Sequence, residues 1–208
     1  MSARILDGEA FASRLHRETA ARVEKLKARG VTPGLVFIRV GEDSASRAYV
    51  SRKEKRAQEV GIASRTLVLP ESTPLASLLK EIDALNADSK VHGILIQSPL
   101  PSALPNDLVY AHVSPAKDVD GFHPVNFGKL LLGDASGFIP CTPAGILEIL
   151  RFGEIPTAGK HAVVVGRGQI VGRPLALLLA RKSPGADCTV TLAHSRTTDL
   201  PALTRQAD

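Results

Sequence analysis

Residues 161–174 read HAVVVGRGQIVGRP, and this stretch decides the fold. His161 to Val165 is a short apolar run rich in β-branched valine, which fits a buried strand. GRGQIVGRP supplies a glycine turn, and Leu175 to Arg181 reads as a helix. A strand, a glycine turn and a helix in that order open a doubly wound nucleotide-binding unit. Gly166 permits a tight turn, Gly168 lets the backbone approach a pyrophosphate, and Gly172 allows the helix to pack closely on the strand. Backbone N–H groups at the helix N-terminus then face the phosphates. The spacing is G-x-G-x-x-x-G, one residue longer than the common dinucleotide fingerprint. The plain alternative is a glycine-rich turn that binds nothing.

The next strand, Cys188 to Leu192, runs into Ala193-His194-Ser195-Arg196-Thr197. Sites for NAD place a carboxylate at this point to accept from the ribose hydroxyls. Here the hydroxyl of Ser195 and the guanidinium of Arg196 stand where the 2′-phosphate of NADP would lie, and Arg167 adds a second charge. A carboxylate would repel that phosphate, whereas arginine binds it through charge-assisted hydrogen bonds. The expected dinucleotide is therefore NADP rather than NAD. The competing expectation is that Ser195 only caps a following turn.

Upstream, strand-like and helix-like segments alternate. Asp7 caps a helix with Phe11, Leu15, Val23 and Leu26 on one stripe, and Gly30 stops it. Gly34 to Val40 (GLVFIRV) is a strand, GEDSAS a polar loop, and Arg47 to Val60 a second helix ended by Gly61. Ser64 to Leu69 is another strand, Pro74 opens a third helix, and Val91 to Gln97 (VHGILIQ) is a third strand broken by the SPLPSALP turn. Strands separated by helices argue for βαβ units and a parallel sheet. Regular patterning fades from Ser114 to Pro143, and a loop that long is functional or a domain junction. Pro143 reads as the first residue of a helix capped by Thr142 and ending near Phe152. DLPALTRQAD reads as a last helix. The expected fold is α/β, with an N-terminal α/β catalytic domain over residues 1–138 and an incomplete Rossmann-like nucleotide domain over residues 139–208.

Composition narrows the function. The chain has 208 residues, 44% hydrophobic and 23% charged, which is globular composition. No apolar run approaches the ~20 residues of a membrane helix. The N-terminus MSARILDGEA has no apolar signal core, so no export is expected. Two cysteines, Cys141 and Cys188, have neither metal-type spacing nor a disulfide framework, and a reducing cytoplasm fits. A net charge of +5 is mild and spread along the chain, which suits an anionic small molecule without requiring nucleic acid.

Tyr49 and Lys53 are four residues apart on the second helix and share a face. A lysine beside a phenol in a cleft can shuttle protons, and partial desolvation would lower its pKa towards neutrality. Most such pairs on wet helix surfaces do nothing. Short-chain dehydrogenases also carry Tyr-x-x-x-Lys, but after the glycine loop and in the same domain, so that family is excluded. Gln97 stands at the carboxyl end of a strand, where open α/β sheets bind ligands. Its amide is placed to orient Lys53 or a substrate amide. Asp118, Asp120 and His123 lie in KDVDGFHP, with spacing that fits no standard metal loop. A structured turn, or a carboxylate pairing with a substrate amine, is the expectation there.

Together YVSRKEKRAQEVGI, GILIQSPLP, KDVDGFHPVNFGKL, PCTPAGILEIL, GRGQIVGRP and TVTLAHSRT resemble the bifunctional methylenetetrahydrofolate dehydrogenase/methenyltetrahydrofolate cyclohydrolase family. The match follows the family's order from the N-terminal helix to the last residue. The resemblance implies two steps of one-carbon metabolism in one cleft. A hydride passes from the methylene bridge of 5,10-methylenetetrahydrofolate to NADP, and the methenyl cation is then hydrolysed to 10-formyltetrahydrofolate. It implies that Lys53 handles proton transfer in the hydrolysis, Gln97 holds and tunes it, Tyr49 stacks on or positions the folate, and Asp120 anchors the pterin. Arg167, Gly168 and Ser195 would contact NADP, beside Gly166 and Arg196. A cationic intermediate attacked by water wants a shuttling base, and no metal is needed. The resemblance also implies tetrahydrofolate substrates, a homodimer, and neither nucleic acid nor membrane as partner.

The chain departs from the family pattern at Gly168, where serine is usual, and at Ser98, where a larger apolar residue is usual. The first loses a hydroxyl contact and the second loosens the folate pocket. The family also continues beyond Asp208, through the rest of the nucleotide sheet, a PGGVGPMT segment and a final helix, so the chain reads as truncated. An inactive folate-binding or dimerising remnant, and an NADP dehydrogenase for another small substrate, are the competing readings.

Overall fold

The computed structural model describes residues 4–208. Residues 1–3, the start of the segment read as lacking an export signal, lie outside the described residues. The elements are α1 (Gly8–Lys27), β1 (Gly34–Val40), α2 (Ser44–Glu59), β2 (Ala63–Leu69), α3 (Leu75–Ala87), β3 (Gly93–Ile96), α4 (Asn106–His112), α5 (Pro124–Leu132), α6 (Cys141–Phe152), β4 (His161–Val165), α7 (Gly172–Ala180), β5 (Thr189–Ala193) and α8 (Leu200–Thr204). The chain forms two compact units by internal contacts: residues 12–119, and residues 4–11 with Asp120–Asp208. The division therefore falls at 119/120, and residues 120–138 group with the glycine-loop segment rather than with the residues before them.

In the first unit three strands pair in parallel in the order β2-β1-β3. Strand alternation sends Val36, Ile38 and Val40 to one face, where they meet Ile94, Ile96, Leu78, Ile82, Leu85 and Val109 of β3, α3 and α4. Phe37 and Leu95 point to the other face and pack on Val50 of α2. A central strand covered on both faces is why GLVFIRV reads as a continuous apolar run. Ile38 is fully buried at the middle of this core. Ile38→Ala should cost ~2–5 kcal/mol of unfolding free energy. Urea unfolding should show a lowered midpoint with an unchanged m-value.

The second unit holds a parallel pair, β4-β5, with Val163 opposite Thr191. Its core gathers Leu130, Leu147, Val164, Leu178, Leu179 and Ala186 from α5, α6, β4, α7 and the loop before β5. The start of α1 belongs here as well, with the Phe11 and Phe152 ring centroids 5.6 Å apart.

Several elements differ from the sequence reading. Asp7 caps α1 as expected, its carboxylate accepting from the Glu9 and Ala10 amides at 3.0 Å. Helix α2 starts at Ser44 rather than Arg47, because Asp43 caps it by accepting from the Ser46 amide at 2.7 Å. Half of the GEDSAS loop is thereby helical. In the stretch where patterning fades, α5 forms over PVNFGKLLL. The His123 ring caps it, accepting from the Val125 amide at 3.0 Å, and Gly133 ends it in the left-handed region. Helix α4 is likewise short and follows a proline. Thr142 lies inside α6, which begins at Cys141 after Pro140. Helix α7 begins at Gly172, so the last glycine of the loop is already helical.

Candidate active site

Helix α2 places Tyr49 and Lys53 on one face, one turn apart. The Lys53 Nζ stands 4.5 Å from the centroid of the Tyr49 ring. It donates to the Gln97 Oε1 at 3.3 Å. Gln97 follows β3 and is 8% exposed, whereas Tyr49 is 50% exposed. The Gln97 amide is fixed from three sides. Its backbone N–H donates to the Ile38 carbonyl at 2.8 Å, its Nε2 donates to the Ser98 carbonyl at 2.6 Å, and its Oε1 is left for the lysine. This is a half-buried amine held against a non-titrating acceptor at the carboxyl end of a parallel sheet, where such sheets bind ligands. At the head of α2, the Ser46 amide and hydroxyl hold the Asp43 carboxyl below the usual carboxylate range.

The KDVDG segment is tied to the same sheet. The Ile94 amide donates to the Lys117 carbonyl at 2.7 Å, and Asp118 bridges to Ile94. The Lys117 Nζ donates to the carbonyls of Leu85, Asn86 and Asp88 at 2.8–3.0 Å, satisfying the C-terminal end of α3. Asp118 is buried. Asp120 lies two residues on, half-buried, at the turn made by Gly121 with φ +70°. By contacts it belongs to the second unit.

In that unit the glycine loop and the end of β5 lie side by side. The Gly166 amide donates to the Ala193 carbonyl at 2.8 Å, and Gly166 takes φ +120°. A Cβ on Gly172 would fall on the Gly166 carbonyl, 2.6 Å from its carbon, so α7 packs on the loop only as glycine. A Cβ on Gly168 would meet nothing within 4 Å, so that backbone is open to a ligand. Val165, Gly166, Gly168, Ile170 and Val171 line part of a cavity of about 640 Å³. The amides of the first turn of α7 are fewer than the sequence reading expects. Arg173 N–H donates to the Gly168 carbonyl at 3.0 Å, and Pro174 has no N–H.

Ser195 and Arg196 occupy the exposed corner of a turn held by residues the sequence reading missed. The His194 amide donates to the Thr197 hydroxyl at 2.8 Å, and the Thr197 amide returns to the His194 carbonyl at 2.8 Å. The Arg196 amide donates to the His194 Nδ1 at 3.1 Å. A side-chain acceptor two residues before the donor is the arrangement that makes Asx turns, and this is the signal that could have found His194. Among the described residues, no group of three or more His, Cys, Asp or Glu is placed to hold a metal ion. No helix among them is long and apolar enough to cross a membrane.

A lysine–amide pair at the carboxyl edge of one parallel sheet, and a glycine turn with a hydroxyl and a guanidinium beside it in another, define a two-unit α/β enzyme of the dinucleotide-dependent class. The family follows from comparison. The catalytic-domain model of the tetrahydrofolate dehydrogenase/cyclohydrolases matches residues 6–120, and their NAD(P)-binding-domain model matches residues 140–208. The chain belongs to the tetrahydrofolate dehydrogenase/cyclohydrolase family. It is 52% identical over 206 residues to the bifunctional protein FolD 1 of Myxococcus xanthus, covering 99% of this chain and 70% of that protein. The FolD methylenetetrahydrofolate dehydrogenase/cyclohydrolase structure from Campylobacter jejuni superposes with a TM-score of 0.95 at 43% identity, over 100% of this chain and 72% of the other. The Trypanosoma brucei enzyme, solved with NADP cofactor and an inhibitor, gives a TM-score of 0.93 at 34% identity, over 100% and 71%.

Proposed function

We propose that this chain oxidises 5,10-methylenetetrahydrofolate with NADP and hydrolyses the resulting 5,10-methenyl cation to 10-formyltetrahydrofolate. The observation that carries the reading is the Lys53 Nζ held 3.3 Å from the Gln97 Oε1 and over the Tyr49 ring, in a chain of this family. NADP, when bound, supplies the hydride acceptor. The Gly166–Gly168 backbone, open at Gly168, receives its pyrophosphate, and Arg167, Ser195 and Arg196 receive its 2′-phosphate. With few helix-terminal amides available, arginine charge does most of the phosphate binding.

Tyr49 presents a half-exposed ring on which a folate ring system can stack, and Asp120 takes an N–H of the pterin. In the hydrolysis, water attacks the methenyl carbon. The neutral Lys53 amine takes one proton from that water, leaving a neutral hydroxyl adduct. The ammonium returns that proton to the ring nitrogen as the C–N bond breaks, while the hydroxyl proton leaves to solvent as the formyl C=O forms. Gln97 holds the nitrogen in place in both states, because a carbonyl oxygen accepts from amine and ammonium alike. Residues 1–138 serve the folate and residues 139–208 the dinucleotide. Family likeness supports a cytoplasmic homodimer with no nucleic-acid or membrane partner.

Purified 208-residue protein, mixed with methylenetetrahydrofolate and NADP, should produce reduced nicotinamide and then 10-formyltetrahydrofolate. Folded protein that yields neither product would overturn the proposal.

A further inference from the structure

Arg39 is a buried cation that the proposed chemistry leaves unused. Its side chain is 7% exposed, at the carboxyl end of the central strand. Alternation puts it on the same face as Phe37, which is the face covered by Val50 of α2. The register that pairs Phe37 with Leu95 and Ile38 with Ile96 brings Arg39 level with Gln97 on the neighbouring strand. The guanidinium therefore lies on the sheet face that carries the Lys53–Gln97 pair.

What it holds is the turn into α2. Its Nη1 donates to the Gly41 carbonyl, and Nη1 and Nη2 reach the Glu42 carboxylate at 3.3 and 3.4 Å. Its charge also acts on Asp43, the residue that caps α2. Gly41 itself is pinned on the other side, donating to the Leu69 carbonyl at 2.9 Å with φ +85°. A buried guanidinium is costly unless it is paired, and here its partners are all within the three residues that launch the helix. Glu42 is 72% exposed, so simple ion-pair stability is a poor reason for burying the cation.

We propose that Arg39 is a positioning residue for the proton-handling lysine: it clamps the 41–43 turn, and so fixes the axial position and rotation of α2 that aim Tyr49 and Lys53 at Gln97. The inference rests on the proton-transfer role proposed for Lys53. Small displacements matter at such a site, where ~1 Å of misplacement can cost on the order of a hundredfold in rate.

The test is the ratio of cyclohydrolase to dehydrogenase turnover in Arg39→Gln, Arg39→Lys and Glu42→Gln, with the NADP dissociation constant as a control. The ratio should fall about tenfold in Arg39→Gln and less in Arg39→Lys, which keeps the charge but not the fork. Glu42→Gln removes the carboxylate charge from the exposed end of the clamp but keeps a side-chain oxygen that can accept from the guanidinium, and should lower the ratio about threefold. NADP affinity should stay within about twofold of wild type in all three. A merely structural role would lower the melting temperature and leave the ratio unchanged, and an unchanged ratio in folded Arg39→Gln overturns the proposal. If Arg39→Gln does not fold, an unchanged ratio in Glu42→Gln overturns it. Failure of the underlying lysine assignment is separate: it would show as intact hydrolysis in a Lys53 variant.

Discussion

Lys53→Gln should lower cyclohydrolase turnover by about 10²–10⁴-fold, the range that one positioned acid–base group supplies. Dehydrogenase turnover should fall by less than about tenfold, because hydride transfer moves no proton that Lys53 must handle. The two rates separate experimentally. Reduced nicotinamide reports the first step, and loss of added methenyltetrahydrofolate reports the second. Glutamine keeps much of the length of the side chain and can still hydrogen-bond to Gln97, but it cannot change charge. Lys53→Arg is the sharper companion. It preserves a cation over the Tyr49 ring, where the native ammonium stands 4.5 Å from the centroid, yet it stays protonated throughout the working range. If the lysine acts only as a fixed charge, arginine should rescue. If it shuttles a proton, arginine should fail in the hydrolysis almost as badly as glutamine. NADP affinity should be unchanged in both, since the residues assigned to that ligand lie between Gly166 and Arg196. Equal losses in the two steps would refute the assigned role.

That this lysine is legible in the amino-acid sequence is a matter of periodicity. Tyr49 and Lys53 share a helix face wherever α2 begins, so the three-residue difference at the helix start leaves the pair undisturbed. Gln97 follows from a rule about strand ends, which holds wherever a parallel sheet terminates. The glycine turn is legible for the same reason: strand, glycines and strand end are all local. The rest is set by contacts that composition does not encode. Helix α5 depends on a histidine ring accepting an amide and on a left-handed Gly133, and its nine residues are shorter than the window over which periodicity identifies a helix. Arg39 interrupts an apolar strand, and its residue type does not say which face it takes. Only the pairing of Phe37 with Leu95 and the packing of Val50 settle that. Ser195 and Arg196 stand out in the sequence for their chemistry. The residues that hold their turn, His194 and Thr197, do so with side-chain acceptors on backbone amides, a turn signal that shows only when the His194 ring is counted among the acceptors that make Asx-type turns.

Gly172→Ala should raise the NADP dissociation constant by about ten- to a hundredfold, the loss expected when one backbone hydrogen bond to a charged phosphate, worth ~1.5–3 kcal/mol, is broken. One added methyl group has this reach because of where it lands. An ideal Cβ at residue 172 lies 2.6 Å from the Gly166 carbonyl carbon and 3.1 Å from the Arg167 nitrogen, both backbone atoms of the proposed phosphate loop. No side chain can swing aside to make room, so either α7 slides away from β4 or the loop opens. Sliding α7 disturbs Leu178 and Leu179 in the core, and overpacking of this kind costs ~1–3 kcal/mol. Opening the loop strains the hydrogen bond from Gly166 to Ala193 and moves the loop relative to the Ser195–Arg196 turn. Gly168→Ala separates packing from binding. Its Cβ would meet nothing within 4 Å, so unfolding free energy should hold while NADP affinity drops through lost backbone approach. The pair of variants, read by calorimetric melting and by quenching titrations with NADP, should therefore split: Gly172→Ala loses both stability and affinity, Gly168→Ala affinity alone. NADP binding unchanged in both would mean that the dinucleotide is held elsewhere and that the glycines serve only the turn.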